Sequence, residues 1–234
     1  MRTSLPSPDG RYRAEVLVYG CESMGEEGDG YDLLRVVEMA GGAAQFIADQ
    51  YRVCMGLGGA GVDALFWDET GRFLYFTPAR EGGADGGCAP SPRPLLRADA
   101  TDWSVTPLGG AVTSPDGEGF AGWQGRELLI GAFDEVEIAR VAPALPYPEL
   151  GMPAWSPDGA AIAYLQGPVY FCFGAGAVAV VVDTATLAGR VLLDLGDRVV
   201  QSIRWVDGAT LLLENVEGGA WLLDLATGEL SEAP

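Results

Sequence analysis

The chain has 234 residues and a formal net charge of −19, and it contains no histidine. Apolar residues make up 48% and charged residues 20%, which excludes a disordered chain and fits one sizeable folded core. All fourteen basic residues are arginine, and the acidic excess repels phosphate backbones, so neither nucleic acid nor an anionic membrane surface is an expected partner.

The first predicted element follows Pro6. In Ser7-Pro8-Asp9-Gly10 the proline sets φ for the first central position and the aspartate accepts a backbone hydrogen bond. Glycine supplies the positive φ that closes the turn, and the strand "RYRAEVLVYG" follows, so the unit reads as a hairpin. The stretch "AGGAAQFIADQ" at 40–50 has spacing compatible with a short helix, but is read as an outer strand. At 65–78, "LFWDETGRFLYFTP" repeats the pattern without the letters, with Trp67 before a turn ending in Gly71.

The tetrapeptide returns at Ser114–Gly117, followed by a second aromatic-turn-strand unit, Trp123-Gln124-Gly125 and then Arg126 to Phe133. The expectation is that Trp123 is the repeated anchor and that Ser114–Gly117 is a connecting turn upstream of it. A third literal copy, Ser156–Gly159, follows Trp155, and "IRWVDGATLLLEN" at 203–215 places Trp205 before a turn at Gly208. The five anchors are then Pro6, Trp67, Trp123, Trp155 and Trp205, spaced 61, 56, 32 and 50 residues apart. Four short strands per repeat of this length are expected to form an all-β, single β-propeller of five blades. The blades fall at about 1–50, 51–108, 109–150, 151–196 and 197–234. Apolar runs without alternation, Ala177–Val182 and Thr210–Leu213, agree with strands covered on both faces.

These residues resemble the TolB-type, WD40-like propeller repeat, whose signature is an aromatic, Ser-Pro-Asp-Gly, an apolar strand, and a later strand ending in a D-x-x-T-G turn. "AVAVVVDTATLAG" at 177–189 and "AWLLDLATGEL" at 220–230 match the second part. The resemblance is strong over 151–230, fair at 3–20 and 62–78, and poor over 79–150. It implies a fold and a habit of binding other molecules, and no chemistry.

With strands A to D counted outward, the B–C loops and D-to-A crossings share the end of the blades opposite the hairpin turns. The inserts at 20–31, 50–61, 79–93 and 166–177 fall there, and all four cysteines, Cys21, Cys54, Cys88 and Cys172, sit in or beside them. Three states stay open for the thiols: unpaired, a disulfide between two of Cys21, Cys54 and Cys88, or a metal site. The last lacks both a C-x-x-C pair and a histidine. The run with Glu26, Glu27, Asp29 and Asp32 could wrap calcium but has no EF-hand spacing, so a solvated acidic loop is the simpler reading.

Without imidazole, the Ser-His-Asp and Cys-His constellations are absent, and no nucleophile elbow or P-loop is present. Paired carboxylates remain as an alternative, a glycoside hydrolase using Glu81 and Asp85 with Asp63 near the start of an inner strand. A purely structural accessory domain is the third reading. The leading expectation is a non-catalytic monomer without cofactors, binding a protein or small ligand through the inserted end, with Arg52, Arg80, Glu81 and Asp85 on that surface. Four of the six tryptophans read as anchors and therefore as core. No apolar stretch reaches the roughly 18 residues of a membrane span, and the opening residues lack a signal-peptide core. As encoded, a cytoplasmic protein is expected, or an exported one if a leader precedes this sequence.

Overall fold

A computed structural model describes residues 3–20, 29–53, 62–78, 94–147, 149–168, 176–215 and 217–233. These form strands and turns, with no helix among the described residues. The chain divides into two compact units, one of residues 1–84 with 93–109 and one of 85–92 with 110–234.

The first unit holds two antiparallel sheets. Blade one runs β1 (Thr3–Pro6), β2 (Tyr12–Tyr19), β3 (Asp29–Glu38) and β4 (Ala44–Val53), each strand beside the next. The ambiguous 40–50 stretch thus supplies an outer strand. Blade two runs β5 (Asp63–Trp67), β6 (Phe73–Thr77), β7 (Pro94–Asp99) and β8 (Val105–Gly110). Their shared core joins Ala14, Val16, Leu34 and Val36 to Trp67, Leu74, Phe76 and Ala98, all buried.

The second unit holds three sheets. Blade three is β9 (Val112–Thr113), β10 (Gly119–Gln124), β11 (Glu127–Ala132) and β12 (Ala139–Val141). In blade four the inner edge is split into β13 (Glu149–Leu150) and β14 (Ala154–Trp155), both paired to β15 (Ala161–Gly167). Its outer strands are β16 (Val178–Asp183) and β17 (Gly189–Asp194). Blade five is β18 (Ser202–Trp205), β19 (Thr210–Glu214), β20 (Ala220–Asp224) and β21 (Leu230–Glu232). Alternation sends Ile162, Tyr164, Val178, Val180 and Val182 into a core with blade three. Ala163, Leu165, Ala177, Ala179 and Val181 enter a second core with Ile203, Leu211 and Leu213 of blade five. Blade four is therefore covered on both faces, which is why its strands read as unbroken apolar runs.

The repeated hairpin turn is a closed hydrogen-bond circuit. In the third copy the Ser156 hydroxyl donates to Asp158 Oδ1 at 2.6 Å, Ala161 N–H donates to Ser156 Oγ at 2.9 Å, and Ala160 N–H donates to Asp158. Ser7 and Ser114 repeat this circuit. Gly10, Gly117 and Gly159 stand at φ of 70°, 80° and 71°. The hydroxyl and amide donors hold the carboxyls of Asp9, Asp116 and Asp158 below their usual values. In blade two the roles are exchanged: Asp68 takes the serine's place, accepting from Phe73 N–H, and Thr70 donates its hydroxyl to it.

The Ser114 turn corrects the sequence reading. It joins the innermost strand β9 to β10 and is the hairpin turn of blade three itself. Trp123 lies one strand further out, on β10, so the anchor position of this blade is Thr113, immediately before Ser114. The misreading arose because Trp123 also precedes a tight turn, the one between β10 and β11.

The outer turns share a second device. Asp183 accepts from the amides of Ala185 and Thr186 and from the Thr186 hydroxyl, and Asp224 does the same with Ala226 and Thr227. The fifth residue of such turns is left-handed: Gly42 and Gly228 at φ of 67° and 72°, but Trp103 and Leu187 at 59° and 58°. A left-handed non-glycine residue costs about 1–2 kcal/mol. Leu187 is partly exposed and stands outside the buried clusters. Leu187→Gly is accordingly expected to raise stability by about 0.5–1 kcal/mol, read as a higher urea midpoint, since the greater freedom of glycine when unfolded offsets part of the relief.

Candidate functional site

The hairpin turns occupy one end of each blade and are short, spanning 7–11, 68–72, 114–118, 156–160 and 206–209. At the other end four connections are longer, 20–28, 54–62, 78–93 and 168–177, while the one between β10 and β11 has two residues. The strands that feed them in blade one are also the longest, β3 and β4 reaching ten residues each.

At that end of blade one, Tyr19 is the last residue of β2 and pairs in register with Tyr31 near the start of β3. Tyr31 pairs in turn with the position of Tyr51 on β4. Cross-strand partners share a sheet face, so Tyr19 and Tyr31 stand side by side. They are 54% and 50% exposed, unusual for large aromatic side chains placed next to each other. Further along the same face, Glu15 is almost fully buried between Arg13 and Arg35, accepting from each Nε at 2.8 Å. Burial pushes the Glu15 carboxyl up, but the hydrogen bonds and charges of Arg35 and Arg13 outweigh it and leave it below its usual value.

Of the residues singled out from the sequence, Arg52 lies on β4 opposite Gly30, and Asp29 and Asp32 lie on β3. The strand thus begins inside the acidic run, and Asp32 is fully buried rather than part of a solvated loop. Asp63 is the first residue of the inner strand β5. Arg80, Glu81, Asp85, Glu26, Glu27 and all four cysteines lie outside the described residues. Among the described residues, no three acidic or cysteine side chains gather as a metal would require, and no helix is long and apolar enough to cross a membrane. The tyrosine pair was not singled out in the sequence, although an aromatic at each end of the strands flanking an insert was there to be seen.

No family model and no curated protein matches the chain. Solved structures with a similar fold include TolB from Acinetobacter baumannii, at 15% identity and a TM-score of 0.44, matching 97% of this chain and 52% of that one. Dipeptidyl peptidase 4 from Porphyromonas gingivalis is 13% identical with a TM-score of 0.49, over 99% of this chain and 39% of that one. An oligogalacturonate lyase in complex with manganese is 15% identical with a TM-score of 0.46, over 97% and 63%. The chain spans about half the length of TolB and less of the peptidase. With five antiparallel sheets in chain order and the Ser-Pro-Asp-Gly hairpin at three of their inner edges, the chain has the fold of a TolB-type, WD40-like β-propeller.

Proposed function

We propose that the protein is a non-catalytic binding propeller that engages a protein or small ligand through the long-connection end of its blades. The observation that carries this reading is the exposed pair Tyr19 and Tyr31, set where blade one hands over to its insert. Tyrosine contributes a large, rigid contact area at low entropic cost and is enriched at recognition surfaces. The inserts supply sequence variety at the same end, where loops carried on a rigid scaffold serve recognition.

Replacing residues 82–87 by a two-residue turn is expected to leave the urea midpoint unchanged. It should weaken a partner captured on the immobilised protein by at least about tenfold, or 1.4 kcal/mol. Tyr19→Ser combined with Tyr31→Ser should act in the same direction. A partner whose affinity survives both changes would overturn the reading.

A further inference from the structure

The opposite end of the first unit carries a groove that the proposed binding surface does not use. It lies between the hairpin turns of blades one and two and the outer turn of blade two, and is open on one side, with a volume of about 460 Å³. That is within the range of small-molecule sites. An adjoining hollow of about 170 Å³ shares Tyr12 as a wall and has Trp103 as another. The walls are held in place: a side chain at Gly71 would stand 2.9 Å from the Asp9 carboxyl, so the two hairpin turns abut with nothing to spare.

Its chemistry is balanced. Arg11 and Arg72 line it as donors and Asp9 as an acceptor, and Thr70 and Thr101 line it too, their hydroxyls donating to Asp68 and Asp99. Arg72 is paired at 2.9 Å with Asp99, so its charge is already met, and its guanidinium is raised above its usual value chiefly by that hydrogen bond. A free anion would meet Asp9 and a free cation would meet Arg11. A neutral ligand rich in hydroxyls, able to donate and accept in turn, meets no uncompensated charge.

The aromatic side is equally specific. Tyr12 lies parallel to Trp67 at 6.2 Å and edge-to-face with Trp103 at 5.1 Å. Trp103 occupies the left-handed position that blades one and five give to Gly42 and Gly228. The outer turn imposes that conformation as it does on Leu187, and here it places an aromatic ring at the position. It also keeps a half-buried indole at the mouth of the hollow. Tyr12 and Trp103 give the two hollows aromatic walls, with the Arg11 guanidinium over the Tyr12 ring at 5.0 Å. Aromatic walls beside donors and acceptors suit a sugar ring, which has hydroxyls at its rim and C–H groups on its face.

We infer that this groove is a binding site for a neutral saccharide, separate from the long-connection end. The probes are cellohexaose, laminarihexaose, mannohexaose and chitohexaose, with hexagalacturonate as the charged control, titrated by calorimetry and by tryptophan fluorescence. At least one neutral hexaose is expected to bind with millimolar or tighter affinity. Arg11→Ala and Trp103→Gly should each weaken it by about tenfold or more. Trp103→Gly relieves the left-handed backbone but removes a ring packed on the core of blades one and two, so its thermal midpoint should fall by several degrees while the chain stays folded. If that variant unfolds early, Arg11→Ala, at an exposed side chain, carries the test alone. The 82–87 replacement should leave sugar binding unchanged, which separates failure here from failure of the reading above. No neutral sugar binding at millimolar concentration, binding of hexagalacturonate alone, or neutral binding indifferent to Arg11→Ala would each overturn the inference.

Discussion

Trp67→Ala is expected to cost about 3–5 kcal/mol of stability, the usual toll for removing a buried tryptophan. For a chain of this size, that is a fall of roughly 6–20 °C in the thermal midpoint. The indole is 7% exposed within the core shared by blades one and two. It lies parallel to the Tyr12 ring, and its Nε1 donates at 3.2 Å to the Leu5 carbonyl, one residue before Pro6. The same bond recurs in the second unit: Trp155 donates to Val112 at 3.3 Å and Trp205 to Ala154 at 2.9 Å, again one residue before the anchor of the preceding blade. In blades two, four and five the anchor tryptophan is thus a rivet to the inner strand of the blade before it. Trp67→Phe keeps much of the area but removes the indole donor to the Leu5 carbonyl, so its cost should be nearer about 1–2 kcal/mol. Denaturant melts of the two variants separate the terms, and a Trp67→Phe protein as stable as its parent would show that the hydrogen bond contributes nothing.

Gln166→Met is expected to cost about 2–4 kcal/mol despite its similar volume, because it leaves buried backbone groups unpaired. Gln166 is fully buried on β15. Its Nε2 donates to the carbonyls of Leu145 at 2.5 Å and Tyr147 at 3.2 Å, while its Oε1 accepts from Leu145 N–H at 3.1 Å. The side chain thereby takes the part of a strand for the crossing segment between blades three and four, where a split inner edge leaves no backbone to do it. Arg126 adds a second donor to the Tyr147 carbonyl at 2.9 Å. Arg126→Ala should cost less, since its side chain is exposed and water can replace it. The check is a chemical melt of both variants, with hydrogen exchange at Leu145 to locate the damage. A Gln166→Met protein as stable as its parent would mean that the amide clamp is dispensable.

Trp123 illustrates what a single anchor residue hides. Its Nε1 donates to the Gly151 carbonyl at 2.9 Å and its ring meets Tyr164 edge-to-face at 4.9 Å, so it too joins two blades, from a different strand. Spacing alone could not distinguish the two positions, because both place a tryptophan just ahead of a turn. The tetrapeptide was the better guide: its Ser-Asp-amide circuit closes within six residues and forms wherever those letters stand.

What the sequence determined by itself is therefore the set of local hairpins and the all-β class. The turn bonds and the left-handed glycines involve neighbours in the chain, and unbroken apolar runs require cover on both faces. What only the tertiary structure decided is which side chains meet across blades: Trp67 with Leu5, Gln166 with Leu145, Tyr12 with Trp103. Those partners lie tens of residues apart, and the register that sets their alternation comes from strand pairing and packing, which no short stretch of letters encodes. The exposed tyrosines and the neutral groove belong to this second class, because a site is a convergence of distant residues while a turn is a property of adjacent ones.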